Sequence, residues 1–195
     1  GVDYLLQMLC LLFRHINISQ ITMENPGYSR AAYVFYNNGI MVSPGTLDHK
    51  GLSVDSISQD SQVVYVTPSH QYPLGIVMPI GRRKELLAWA SSEHNTCVAN
   101  EQDKKKPQNV SLSKNENSNN ITNQNMVKYI IEDDHDSEFR YKGKPIPALQ
   151  GIDVHESVIY IGTFSNAIAP AIRAAYMVLP HKLLNDYQQI CGHFF

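Results

Sequence analysis

Three clusters of polar residues carry side chains that could do chemistry: Ser69-His70-Gln71, Asp133-Asp134-His135-Asp136, and the stretch from Thr163 to Asn166. Each follows a run of apolar, β-branched or aromatic residues: Val63–Val66, Tyr129–Ile131 and Val158–Ile161. Such runs read as strands buried on both faces of a parallel sheet. Open α/β sheets bind ligands beyond the carboxyl ends of their strands, so the three clusters mark a candidate binding edge. The second cluster, with His70 as a distant partner, could also hold a metal ion. Consecutive strand residues point in opposite directions, however, and rarely converge on one ion. The cysteines Cys10, Cys97 and Cys191 form no CxxC pair and no even framework, so free cytosolic thiols are expected.

The elements between these clusters follow from periodicity and punctuation. Val2–Phe13 carries apolar residues at helical spacing. Ile21–Glu24 reads as a strand, and Asn25-Pro26-Gly27 as a turn. A helix over Arg30–Asn37 stops at Asn38-Gly39, and Ile40–Val42 is a strand. Leu52–Ile57 is expected to be a short helix. Gly81–Ala90 is a helix packing through Leu86, Leu87 and Trp89. A last strand, Met177–Leu179, is closed by Pro180 and followed by a helix over His181–Cys191. Strands alternating with helices predict an α/β fold, a three-layer sandwich around a mostly parallel sheet.

One stretch breaks the alternation. Residues 97–125 are rich in Asn, Gln, Lys and Ser and poor in apolar residues. Too little apolar surface is available there to offset the entropy of ordering, so a disordered insert is expected. Its basic run Lys104-Lys105-Lys106 reads as a solvated patch. The whole chain has 195 residues, 43% hydrophobic content and a net charge of −2, enough for one sizeable core. With no basic excess, this stretch alone is not a nucleic-acid reader. Leu5–Phe13 is far shorter than the roughly 20 residues of a membrane span, and no signal peptide is visible. A start on Gly1 without methionine suggests an excerpt or truncated product of a cytoplasmic protein.

Three longer runs are distinctive: Tyr65-Val-Thr-Pro-Ser-His-Gln-Tyr-Pro-Leu-Gly75, Ile130-Ile-Glu-Asp-Asp-His-Asp-Ser-Glu-Phe-Arg-Tyr141, and Ile161-Gly-Thr-Phe-Ser-Asn-Ala-Ile-Ala-Pro170. In this order and spacing the chain resembles the aminotransferase-like domain of MocR-type regulators of the GntR superfamily. Those proteins join a winged helix-turn-helix to a fold-type-I pyridoxal 5'-phosphate (PLP) domain. The resemblance implies part of the large domain of a PLP-dependent transferase, covering residues 1–195 apart from the insert. It implies that Asp133 pairs with the pyridine nitrogen of PLP, where a protonated ring needs an anion. Tyr28 resembles the aromatic residue that stacks on the ring. Arg173 resembles the arginine that grips the phosphate, accompanied by the hydroxyls of Thr163 and Ser165. Gly1 and Val2 resemble a glycine turn and helix N-terminus that cradle the same phosphate.

The departures from that family matter as much. Asn166 occupies the position of the Schiff-base lysine and has no amine to react. Lys142 and Lys144 are expected to be exposed and no substitute. His135 stands where the family has a tyrosine beside the cofactor's phenolate oxygen, and a ring nitrogen could donate a similar bond. Asp3 replaces a glutamine near the phosphate cradle, where its charge would weaken binding unless the side chain turns away. Residues 1–195 are expected to include neither the family's winged helix nor the small domain with its substrate-binding arginine. The expectation is a PLP-binding regulator domain without efficient transamination. Its cofactor is non-covalent, its effector an amino acid or amine, and its assembly a homodimer with no membrane contact. DNA is expected to be reached only through a winged helix outside residues 1–195. The alternatives are a degenerate fragment that binds nothing and, less favoured, an active amino-acid aminotransferase.

Overall fold

The computed structural model describes residues 1–91, 127–135, 146–163 and 174–192. Along the chain run α1 (Val2–His15), β1 (Gln20–Asn25), α2 (Ser29–Asn37), β2 (Met41–Asp48), β3 (Gly51–Leu52), β4 (Val63–Val66) and α3 (Ile80–Ser91). Then follow β5 (Tyr129–Asp134), α4 (Leu149–Ile152), β6 (Val158–Thr163), β7 (Ala175–Val178) and α5 (His181–Cys191). The expected insert and its lysines lie outside the described residues, as do Lys142 and Lys144.

The strands form one seven-stranded sheet in the order β3-β2-β1-β4-β5-β6-β7. The pairs β1–β2, β1–β4, β4–β5 and β5–β6 are parallel. Both outermost pairs, β2–β3 and β6–β7, are antiparallel. The fold is thus the mostly parallel α/β sandwich expected. From β1 the chain steps outward to β2, then returns to place β4 on the other flank of β1. The gap between the ends of β1 and β4 is therefore a topological switch point, where such sheets open a crevice.

Alternation along each strand divides the core into two layers. Ile21, Met23, Val63, Tyr65, Tyr129, Ile131, Ile159 and Ile161 pack with Leu6, Leu9, Phe13, Phe35 and Leu183 from α1, α2 and α5. Val64, Val66, Ile130 and Val158 face the other way, against Leu86, Ala90 and Leu149 of α3 and α4. Central strands buried on both faces explain why those runs are uniformly apolar.

The segment Leu52–Ile57 departs from expectation. Leu52 belongs to β3, and only Val54–Ser56 winds into a 3₁₀ turn. Leu52 is drawn into the sheet because it is fully buried against the second core layer. Arg82 holds this corner, donating to the Leu52 carbonyl and to Asp48 Oδ2 at 2.7 Å.

Arg83, one residue on, is the largest side chain in the fully buried interior. It donates to the carbonyls of Pro68 (2.9 Å), Met78 (3.1 Å) and Pro147 (3.2 Å), and lies 3.4 Å from Glu132 Oε1. Glu132 in turn accepts from the backbone N–H groups of Leu149 and Gln150, at 2.9 and 3.0 Å, capping α4. Replacing Arg83 with leucine leaves Glu132 buried without its cation. That is expected to cost about 3–5 kcal/mol, read as a lower denaturation midpoint in urea.

Candidate active site

β1, β4, β5 and β6 all end at the same edge of the sheet. There a cavity of about 240 Å³ is lined by Val2, Tyr28, Thr67, Tyr72, Asp133, His135 and Thr163. Asp133 is still within β5, the next-to-last residue of the strand. Val2 opens α1, a 14-residue helix whose N-cap is Gly1, with no side chain capping it. Its first N–H groups and its dipole therefore face the cavity end, an arrangement that favours an anion.

Tyr28 and Tyr72 meet edge to face, with ring centroids 5.9 Å apart. Both loops are tied to Glu24, a buried carboxylate near the end of β1. Its Oε2 accepts from Thr67 N (3.2 Å), Thr67 Oγ1 (2.7 Å) and Gln71 Nε2 (3.4 Å). Gln71 Nε2 also donates to the Pro26 carbonyl at 2.9 Å, and Tyr72 N donates to Thr67 Oγ1 at 3.1 Å. The turn between Glu24 and Tyr28 requires glycine at position 27, because a Cβ there would collide with the Glu24 carbonyl oxygen.

Asp133 is 4% exposed, and its Oδ2 accepts a hydrogen bond from the hydroxyl of Tyr65. Its Oδ1 has no hydrogen-bond partner among the described residues. Burial raises the pKa of this carboxyl above the ordinary value, while the Tyr65 bond and the charge of His135 pull it back down. Asp134 faces the opposite side of the sheet, where Tyr160 donates to its Oδ2 at 2.6 Å. The two aspartates thus do not share a site. Among the described residues no group of three His, Cys, Asp or Glu side chains could hold a metal ion.

Of the residues singled out in the sequence, Tyr28, Asp133, His135, Thr163 and Val2 line one cavity, with Gly1 beside it. Ser165, Asn166 and Arg173 lie outside the described residues. Asp3 turns away toward α2, where it pairs with Arg30 Nε at 2.7 Å. Glu24, Tyr65, Thr67 and Tyr72 were not foreseen as site residues. The readable signal was a carboxylate and a phenol inside strands that the sheet buries, since buried polar groups demand partners.

No family model matches the chain. A Bacillus subtilis protein named as the uncharacterized HTH-type transcriptional regulator YdeL is 41% identical over 191 residues, 97% of this chain and 34% of its own length. The HTH-type pyridoxine biosynthesis transcriptional regulator PdxR of Corynebacterium glutamicum is 31% identical, over 88% of this chain and 31% of its own. A Rhizobium meliloti protein named as the rhizopine catabolism regulator MocR is 30% identical, over 88% and 29%. The chain therefore spans about a third of the length of these curated relatives. Among solved structures, the kynurenine aminotransferase of Pyrococcus horikoshii superposes with a TM-score of 0.70 at 23% identity, covering 99% of this chain and 42% of that one. An archaeal alanine:glyoxylate aminotransferase gives 0.71 at 21%, covering 98% and 42%.

Burial raises the Glu24 carboxyl from its ordinary 4.5 to about 7, ahead of the Thr67 and Gln71 bonds that lower it. A carboxyl raised on folding imposes no penalty below pH 4.5 and destabilises the fold as pH climbs through about 7. Glu24→Gln should remove that slope, worth about 3 kcal/mol across the window. Thermal melts of parent and variant at a series of pH values check this; parallel curves would contradict it.

Proposed function

We propose that this chain, an aminotransferase-like segment homologous to MocR-type regulators over about a third of their length, binds PLP non-covalently and does not carry out efficient transamination. One observation carries the reading. A buried carboxylate with an unpartnered oxygen, on Asp133, lines a cavity at the switch point of the sheet. A protonated pyridine nitrogen is the kind of donor that oxygen lacks. The aminotransferase fold of the solved neighbours supports the same choice.

On this reading Asp133 holds the ring nitrogen, and Tyr28 lies against the ring face. His135 donates to the ring's phenolate oxygen. The uncapped N-terminus of α1 at Gly1 and Val2, with Thr163, Ser165 and Arg173, holds the phosphate. When bound, PLP supplies an electron sink through its protonated ring nitrogen. Asn166 contributes neither a covalent anchor nor a base, so no residue at that position shuttles a substrate proton.

The wider role follows from the relatives. Several are named HTH-type transcriptional regulators, so the segment would sense PLP, an amino acid or an amine on behalf of a DNA-binding winged helix elsewhere in the protein. That role places it in the cytoplasm. Among the described residues no helix is long and apolar enough to cross a membrane. The exposed apolar side chains of Tyr72, which lines the cavity, and of Leu74, Val77 and Ile80 in the residues that follow it suit a second copy of the chain, giving a homodimer.

The test is a titration of the chain and of its Asn166→Lys variant with PLP, followed by desalting. The parent should bind saturably and lose the ligand on desalting. The lysine variant should retain it, with a new absorbance band. Turnover of amino acids by the parent would favour an active aminotransferase. No saturable binding by either protein would leave only the degenerate fragment.

A further inference from the structure

We propose that Tyr65 is a positioning residue for Asp133, its hydroxyl fixing one carboxylate oxygen so that the other is presented, ionised, to the cofactor's ring nitrogen. The inference rests on the PLP reading and assigns a role to a residue deep in the sheet.

The register supplies the geometry. Tyr65 of β4 is paired with Ile131 of β5, so Asp133 lies two residues further along the neighbouring strand on the same face. That diagonal separation is within reach of a tyrosine side chain. The phenol is 1% exposed and is held edge to face by Phe35, with centroids 6.2 Å apart. Its hydroxyl donates to Asp133 Oδ2, leaving Oδ1 without a partner among the described residues.

The chemistry points the same way. Burial and the neighbouring Asp133 hold the Tyr65 hydroxyl well above its ordinary pKa, so it remains a donor. Donation to a carboxylate stabilises the charged form. Burial already raises the Asp133 pKa with this bond in place, and without it would push the group further toward the neutral acid. A neutral acid could not supply the anion that a protonated ring nitrogen needs. A merely structural tyrosine would support the cavity without regard to what the ligand carries at that ring position.

The experiment therefore compares PLP with its 1-deaza analogue, in which C–H replaces the ring nitrogen, by equilibrium dialysis with the full chain. The parent should prefer PLP by about tenfold, the worth of one charge-assisted hydrogen bond. Tyr65→Phe should reduce that preference to about twofold or less, leaving the analogue's affinity unchanged. In an Asp133→Asn background the Tyr65→Phe change should have no further effect on the preference. Equal loss for both ligands, or a preference that survives Tyr65→Phe, overturns the inference while the PLP reading stands. Failure of the parent to bind either ligand defeats that reading and the inference with it. Should Tyr65→Phe not fold, proton NMR of the parent decides. A downfield tyrosine hydroxyl, absent in Asp133→Asn, should shift when PLP is added but not when the analogue is. A resonance that moves equally with both, or with neither, overturns the assignment.

Discussion

The arrangement of the binding edge depends on one buried ion pair, Arg83 with Glu132, both essentially without solvent exposure. Burial lowers the pKa of the arginine and raises that of the glutamate, so for each partner desolvation outweighs the attraction of the other. The pair is therefore not explained by what it adds to stability. What it does is connect. Arg83 ties α3 to the carbonyls of Pro68 and Met78, at either end of the loop that carries Tyr72, and to Pro147. Glu132 holds the start of α4 and sits immediately before Asp133. Placing a charge on one face of β5 thus fixes the direction of the next side chain on the other.

Much of the fold could be read from the residues, for a physical reason. Val63–Val66, Tyr129–Ile131 and Val158–Ile161 are uniformly apolar because helices cover both faces of the central strands. The outer elements were harder. Leu52 sits in a two-residue strand whose pairing with Leu47 is a tertiary matter, and no local pattern announces it. The four-residue α4 is similarly set by a side chain, Glu132, that precedes it by 17 residues. The candidate site divides the same way. Asp133, His135 and Thr163 stand at strand ends, where sheet topology alone directs attention. Tyr65 and Glu24 sit inside strands, and their roles depend on partners 68 and 43 residues away.

The pocket's electrostatics narrow what it can accept. Glu24 and Asp133 are both buried, and each keeps one oxygen unpartnered among the described residues. The charge of Asp133 contributes to raising the pKa of Glu24, so the two carboxylates disfavour each other's ionised forms. Nearby hydroxyls and amides, from Tyr65, Thr67 and Gln71, relieve one oxygen of each group but add no positive charge. A cationic ring nitrogen at Asp133 would lower the energy of this arrangement, whereas an anion there would raise it. The anion-favouring end of the cavity is instead the N-terminus of α1, where backbone N–H groups are uncapped by any side chain. A ligand with a basic ring nitrogen at one end and a phosphate at the other matches both ends.

If the ligand is held without a covalent bond, its occupancy follows its free concentration. On the proposed reading, a lysine at position 166 would hold the cofactor covalently, as a resident group. An asparagine would leave every part of the affinity to the reversible contacts proposed: the carboxylate of Asp133, the face of Tyr28, and the donors around the phosphate. Each such contact contributes only about 1–3 kcal/mol. The pocket would then fill and empty as the ligand concentration crosses its dissociation constant. Any element that differs between the two states is biased by that occupancy. The loops bearing Tyr28 and Tyr72 are the natural elements to respond, because both line the cavity and are coupled through Glu24. On the proposed reading, an asparagine at position 166 is in this way compatible with a working receptor, provided the groups that position Asp133 are retained.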